Sequence, residues 1–231
     1  MNVKRDISEP PEKTTADIIH TGGRVLSSLI PGGTELLNAI IMPPIEKRRT
    51  EWIKKIAEDV EVLKEKMEEF NPTKLSENES FVTTVLNATS FAMKTHQKEK
   101  LDALRNSIMN SALPNAPEDD LQSIYLNLVD AFTPLHIEFL EFFNTSINPT
   151  KYINKDYWGE WTDIGQAFWL LRGTQNGISK EMAKKIAKDL ENSSLIDTFS
   201  GPMTIGPNYT SGWSVTELGK GFLHFIRSPF D

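Results

Sequence analysis

The sequence predicts a mainly α-helical fold, in which a helical bundle with one long helix precedes a winged-helix-like α+β domain with a small β-hairpin. Apolar residues recur at helical spacing along most of the chain. Two short strand signals then follow, at residues 195–199 and 213–215, on either side of a segment rich in glycine and proline. We therefore expect a flexible arm at residues 1–13, a helical bundle at 14–116 and a winged-helix-like domain at 117–231.

The composition excludes several classes of function. The chain has 231 residues, a formal net charge of -7 and no cysteine. Without cysteine there is no disulfide, no thiol nucleophile and no cysteine-ligated zinc or iron–sulfur cluster. The acidic balance disfavours a non-specific nucleic-acid binder, which needs clustered cations. No apolar stretch follows the basic start, and none approaches the roughly 18 residues of a membrane span. We expect a cytoplasmic protein, or one peripheral to the inner face of the membrane.

The amino-terminal elements are expected to be short helices that end at proline and glycine. A first helical pattern covers residues 14–30 and stops at Pro31, and a second short helix is expected at residues 34–41. Pro43 and Pro44 then stop this second helix, and Pro44 suits the first position of the next one.

The long helix after these prolines is the clearest element of the sequence. Its apolar residues are spaced alternately by three and four positions, which forms an a/d seam of Ile53, Ile56, Val60, Leu63, Met67 and Phe70. Such a seam is typical of a bundle helix that packs on its neighbours, which is the interpretation we favour. A dimeric coiled coil is the alternative.

Further helices are expected along the rest of the chain. Apolar residues with helical period predict them at residues 81–93, 101–113, 121–132, 135–143, 157–171, 179–190 and 216–226. Thr133 and Pro134 form an N-cap and first-turn signal for the fourth of these helices, and Ser179 caps the sixth.

Two segments near the carboxyl terminus resemble parts of a winged helix-turn-helix. Residues 178–196 look like a recognition helix followed by the first wing strand, and residues 215–222 look like the second wing strand turning into the closing helix. The candidate nucleic-acid contacts are Lys180, Lys184, Lys185 and Lys188. Residues 180–191 carry only four cations against three acids, and no arginine. We therefore favour packing or partner contact over DNA recognition for this region.

An apolar segment followed by a basic cluster is the candidate site for membrane or partner contact. The residues concerned are Ile40, Ile41, Lys47, Arg48, Arg49 and Trp52. The interpretation we favour is that the short helices fold onto the bundle and bury this apolar surface, because a large exposed patch promotes aggregation. A protein partner or self-association is expected, whereas nucleic acid is an open but less favoured partner.

The sequence contains no motif for catalysis, cofactor binding or metal binding. The four histidines, His20, His96, His136 and His224, form no H-E-x-x-H pair, and neither a phosphate loop nor a G-x-S-x-G motif occurs. His136 and His224 lie within apolar helical patterns and are expected to be core or boundary residues. We expect no catalytic residue, no cofactor and no metal, and a protein that is not an enzyme.

The layout of the chain resembles the alpha-helical abortive-infection (Abi-alpha-type) proteins of bacteria. The resemblance rests on glycine-punctuated apolar residues at 22–37, a basic step at 46–49, the long charged helix, paired helices at 81–113, and residues 128–134 leading into the next helix. It implies a non-enzymatic role in defence against bacteriophage, through protein or membrane contacts, without catalytic residues. A winged-helix DNA-binding transcriptional regulator and an oligomeric scaffold subunit are the alternative functions.

Overall fold

The computed structural model describes residues 33–67, 71–144, 169, 177–198 and 213–230. Within these ranges the protein is mainly helical, with eight helices and one antiparallel sheet of two strands, which confirms the predicted fold class. The helices are α1 (Gly33–Lys66), α2 (Pro72–Glu77), α3 (Glu79–Lys94), α4 (Lys98–Ser111), α5 (Asp119–Ala131), α6 (Pro134–Asn144), α7 (Lys180–Asn192) and α8 (Glu217–Ile226). The strands are β1 (Ile196–Thr198) and β2 (Trp213–Val215).

Some predicted elements cannot be compared with the structure. The arm at residues 1–13 and the helix at 14–30 lie outside the described residues, and so does the helix at 157–171 apart from Trp169. The indole nitrogen of Trp169 donates to the carbonyl of Ile178 at 2.9 Å.

The chain divides into two units, Met1–Lys54 and Lys55–Asp231. The boundary that the sequence predicted between residues 116 and 117 falls inside the second unit. There α4 packs against α5 and α8, and α3 packs against α5. Helices on both sides of residue 116 therefore share one core.

Helix α1 runs without interruption through Pro43 and Pro44. The prediction that these prolines end one helix and begin another is therefore wrong. Each proline removes one backbone hydrogen bond and crowds the carbonyl four residues earlier, which kinks or breaks a helix. The prediction weighed only the local cost of the prolines, whereas the turns on both sides of them keep their own backbone hydrogen bonds and contain helix formers (Glu, Leu, Ala, Lys and Arg). One helix thus carries both the apolar residues before the prolines and the basic residues after them.

Part of the predicted seam of α1 packs within the chain. Leu63 is fully buried in a cluster with Met109 and Ala112, and partly buried side chains surround it, namely Met67, Leu75, Phe81, Leu113 and Phe230. This packing supports the bundle-helix interpretation for Leu63 and Met67. Ile53 is 52% exposed, and Phe70 lies outside the described residues.

A largely buried ion pair ties α1 to α4. Arg105 donates from Nε to Oδ2 of Asp59 at 2.7 Å and from Nη2 to Oδ1 at 2.6 Å. The hydrogen bonding to Asp59 is the largest cause that raises the pKa of Arg105 above its ordinary value. Two parallel bonds from one guanidinium fix orientation as well as distance, so this pair sets how the two helices pack.

Two asparagines of α4 cap the carboxyl end of α8. Asn110 Nδ2 donates to the carbonyls of Phe225 and Arg227, both at 2.8 Å, and Asn106 Nδ2 donates to that of Ile226 at 2.9 Å. The last carbonyls of a helix have no partner within the helix. These bonds therefore satisfy polar groups that packing against α4 would otherwise leave unpaired.

The sheet and α8 meet at the backbone of Leu195. β1 and β2 pair antiparallel, with Ile196 opposite Val215. Thr216 donates its backbone N–H to the Leu195 carbonyl at 3.0 Å, and its hydroxyl accepts from Gly219 N at 3.0 Å, which caps α8. A Cβ on Gly219 would lie 2.2 Å from that same carbonyl oxygen, so only glycine permits this approach. The order α7, β1, β2, α8 is the predicted one, and the winged-helix arrangement stays a prediction.

Candidate functional site

The candidate nucleic-acid contacts lie on α7, whose two sides differ in character. Ser179 caps the helix by accepting from Met182 N at 3.2 Å, as the sequence predicted. The side chains of Ala183, Ile186, Ala187 and Leu190 are buried. Among the four predicted lysines, Lys184, Lys185 and Lys188 are exposed and Lys180 is half-buried. The helix therefore presents its cations away from its apolar side.

Acidic side chains of the same helix offset much of this positive charge. Lys185 Nζ donates to Asp189 Oδ1, and Lys188 Nζ donates to Glu191 Oε2 at 2.6 Å. Exposed pairs of this kind contribute only about 0–1 kcal/mol, so these lysines can exchange their carboxylates for another anion. Breaking these ion pairs offsets part of the free energy that the lysines gain by binding phosphate, so the surface is a weaker phosphate binder.

A buried histidine links α6 to α7. The backbone N–H of Thr133 donates to His136 Nδ1 at 3.2 Å, and Thr133 Oγ1 lies 2.9 Å from the same nitrogen. Because a backbone N–H can only donate, Nδ1 is an acceptor and the ring proton is on Nε2, which lies 3.3 Å from Asp189 Oδ2. The ring also stacks on Phe132, with centroids 4.8 Å apart. The expected burial of His136 is confirmed, whereas the same expectation is wrong for His224, which is exposed.

Burial and hydrogen bonding together set the protonation of this pair. Burial lowers the pKa of His136 below its ordinary value of 6.5 and outweighs the hydrogen bond with Asp189, which raises it. The ammonium groups of Lys185 and Lys100 lower the pKa of His136 further. Burial raises the pKa of Asp189, but hydrogen bonds from Lys185 and His136 outweigh this effect and lower it overall. At neutral pH a neutral imidazole therefore faces an ionised carboxylate.

The order of hydroxyl, imidazole and carboxylate also occurs in nucleophilic catalysis, where the imidazole removes the hydroxyl proton. Here the ring nitrogen that faces the hydroxyl of Thr133 also accepts that residue's backbone N–H. This is the arrangement of a capping box, in which a side chain three residues after the cap accepts from the cap N–H. We therefore interpret Thr133, His136 and Asp189 as a clamp that holds the start of α6 against α7, and assign it no catalytic role.

The residues of this clamp could not be grouped together from the sequence alone. A signal was present locally, because Thr133, Pro134 and an acceptor side chain at His136 match the spacing of a capping box with histidine in place of Glu or Gln. Nothing in the sequence indicated Asp189, which lies 53 positions from His136.

The candidate membrane or partner contacts lie on the amino-terminal part of α1. Ile40 and Ile41 are 61% and 41% exposed, so the favoured expectation that they are buried is wrong. Lys47 and Arg49 are exposed as well, and Arg48 is half-buried. These five residues, which we call the α1 surface, lie within three turns of one helix.

The surroundings of Trp52 and Lys47 determine which of the predicted contact residues are accessible. Trp52 is only 3% exposed, so the structure does not place it with the exposed candidates. Lys47 Nζ lies 3.9 Å from a carboxylate oxygen of Glu51, and both side chains are largely exposed. An exposed pair at this distance contributes little, about 0–1 kcal/mol, and leaves the ammonium group accessible to another anion.

A cleft of about 520 Å³ opens beside α2. Its polar lining includes Asn71, Asn78 and Gln122. The side-chain oxygens of Asn71 and Asn78 cap α2 and α3, and the amide of Gln122 bonds to Ser80 and to the carbonyl of Pro117. These groups serve the fold, and we assign no ligand to the cleft.

Across the described residues, no group of three or more His, Asp or Glu side chains could hold a metal ion. No helix in these ranges is long and apolar enough to cross a membrane.

Comparison of the chain with protein-family models, with curated proteins and with solved structures gives no match.

Proposed function

We propose that this protein is a non-enzymatic bacterial defence protein of the abortive-infection type, which acts against bacteriophage through contacts made by an exposed surface. The observation that supports the proposal is the α1 surface, where exposed isoleucines and cations occur together on one helix. The resemblance of the chain's layout to Abi-alpha-type proteins supplies the defence role.

Exposed isoleucines favour a contact function for physical reasons. Fully burying one such side chain is worth about 1.5–3 kcal/mol, so leaving Ile40 61% exposed and Ile41 41% exposed forgoes part of that stabilisation. Neighbouring apolar residues left exposed beside polar ones mark sites of protein or membrane contact. The cations at Lys47 and Arg49 add a preference for an acidic partner.

A phage challenge tests this function. Cells that carry the protein, and cells that carry an empty vector, are infected at low and at high ratios of phage to cells. An abortive response sacrifices the infected cell, so we expect the culture to survive at the low ratio and to collapse at the high ratio. Equal collapse of both cultures at the low ratio, across a broad phage panel, would contradict the proposal.

A DNA-binding regulator is the second candidate, because α7 carries four lysines away from its buried side and is followed by the two-stranded sheet. This function predicts a gel shift with duplex DNA that weakens as salt rises, and weakens again when Lys184 and Lys188 are changed to alanine. The absence of any shift at low salt would exclude it.

An oligomeric scaffold is the third candidate. Ile53 of the predicted seam is exposed, whereas Leu63 is already covered within the chain, so only part of the seam is left to bind a second copy. This function predicts association that increases with concentration in sedimentation velocity. A monomer at every concentration would exclude it.

A further inference from the structure

We infer that the α1 surface docks on an anionic lipid bilayer, with Ile40 and Ile41 entering the boundary of the acyl chains and the cations lying among the headgroup phosphates. The inference rests on the proposed function, since it names the partner of the same surface. It commits to a lipid surface, and a protein partner becomes one outcome of the test.

The helical geometry places apolar and basic residues on the same face. Ile40 and Lys47 are seven positions apart, and so are Ile41 and Arg48, which corresponds to about two turns and to about 10 Å along the axis. Each isoleucine therefore has a cation in nearly the same direction. Pro44 lies between the two pairs and is itself exposed, and Glu51 follows on the same side of the helix, with its carboxylate 3.9 Å from Lys47 Nζ.

The charge along α1 changes sign after this face. Residues 46–55 hold five cations and two acids, whereas residues 56–66 hold two cations and four acids. Because the whole chain has a formal net charge of -7, attraction to an anionic surface must be local. At physiological ionic strength charges act over about 8 Å, so a basic segment can dock while acidic residues farther away are screened.

The mixture of groups distinguishes a bilayer from other anions. The phosphate backbone of a nucleic acid can pair with cations, but it has no apolar region in which two exposed isoleucines could be buried. An anionic bilayer offers both, since apolar side chains enter the boundary below the headgroups while lysine and arginine reach the phosphates with their long stems. No helix of the described ranges spans a membrane, so the contact required is one along the surface.

The test is sedimentation of the full-length protein with vesicles of phosphatidylcholine alone or mixed with phosphatidylglycerol. We expect binding to the mixed vesicles that falls as salt rises. The variant Lys47→Gln/Arg48→Gln, which removes the two cations on the face of Ile40 and Ile41, should bind about 25-fold more weakly, at about fivefold per cation. The variant Ile40→Gln/Ile41→Gln should lose at least about tenfold.

Matched controls carry the same changes elsewhere on the surface. Val82→Gln/Leu86→Gln replaces two exposed apolar residues of α3, and Lys184→Gln/Lys188→Gln removes two exposed cations of α7. Both controls should bind as the parent protein does. Equal effects of test and control variants, or equal binding to both kinds of vesicle, would overturn the inference.

The vesicle result and the phage result separate the two claims. If vesicles are not bound but phage protection persists and depends on Ile40 and Ile41, the partner is a protein and the lipid inference is wrong. If the parent protein binds anionic vesicles but gives no protection against any phage, the proposed function is wrong and the lipid inference stands.

Discussion

The substitution Asn110→Asp tests how the core of the second unit is held together. The amide of Asn110 donates to the carbonyls of Phe225 and Arg227 at 2.8 Å and lies 3.4 Å from that of His224. Aspartate keeps the shape of the side chain but, when ionised, removes both donor hydrogens. It also places a carboxylate at the carboxyl end of α8, where the helix dipole is negative.

The magnitude follows from the two short bonds. Leaving a buried acceptor without its partner costs about 1–3 kcal/mol, so the loss of both bonds predicts about 2–6 kcal/mol. The carboxylate is itself buried, since Asn110 is only 3% exposed, which places the expected value in the upper half of this range. Domains are typically stable by about 5–15 kcal/mol, so the variant should fold but with a clearly reduced margin.

Urea unfolding followed by far-UV circular dichroism measures this effect. With a slope typical of small proteins, about 1–3 kcal/mol per molar urea, the midpoint should fall by about 1 M or more. Asn127→Asp is the matched control, because it makes the same chemical change at an exposed position of α5. If the cost of Asn110→Asp lies within about 0.5 kcal/mol of that of Asn127→Asp, the hydrogen bonds from Asn110 to the end of α8 do not stabilise the fold and the reasoning is refuted.

Three further changes probe other contacts. Gly219→Ala should cost about 3 kcal/mol in urea unfolding, because its Cβ would lie 2.2 Å from the carbonyl oxygen of Leu195. Asp59→Asn should cost about 3 kcal/mol, because it leaves the guanidinium of Arg105 without its paired carboxylate. Burial lowers the pKa of His136, so the folded state binds fewer protons than the unfolded state between that lowered value and 6.5. The contribution of His136 to the free energy of unfolding should therefore be fully present above pH 6.5. It should decrease as the pH falls from 6.5 towards the lowered pKa. His136→Gln should keep most of the stability at pH 7 and lose part of this pH dependence, since Gln can accept and donate in the same places.

Each of these changes has its own control. Gly177→Ala faces no atom within 4 Å but has a φ of +67°, so it should cost only about 1 kcal/mol. Asp102→Asn removes a more exposed partner of Arg105, at 3.3 Å, and should cost less than about 1 kcal/mol. Costs for Gly219→Ala or Asp59→Asn no larger than those of their controls would contradict the packing described. For His136, an unchanged pH dependence in the glutamine variant would show that the ring does not titrate with folding.

Most of the helices were predictable because their signals are local. The N-cap at Ser179 and the Thr133–Pro134 start of α6 depend only on neighbouring residues, and the structure has both helices. The rule that prolines break helices is equally local, yet α1 continues through Pro43 and Pro44, because the turns on both sides keep their own backbone hydrogen bonds.

The contacts that hold the helices together were not predictable in the same way. Asn106, Asn110 and Asp59 sit among other polar residues of amphipathic helices, where sequence alone suggests solvent exposure. Their partners lie 46 to 120 positions away, so only the folded chain identifies them. The α1 surface was predicted as a set, but the burial of Trp52 depends on packing that residue spacing does not encode.

The efficiency of phage plating on cells that carry the Ile40→Gln/Ile41→Gln variant tests most directly whether the protein acts through the α1 surface. The parent protein and the Val82→Gln/Leu86→Gln control should reduce plating equally, and the α1 variant should restore it while unfolding at the same urea concentration as the parent. Full protection by a folded α1 variant would contradict the account.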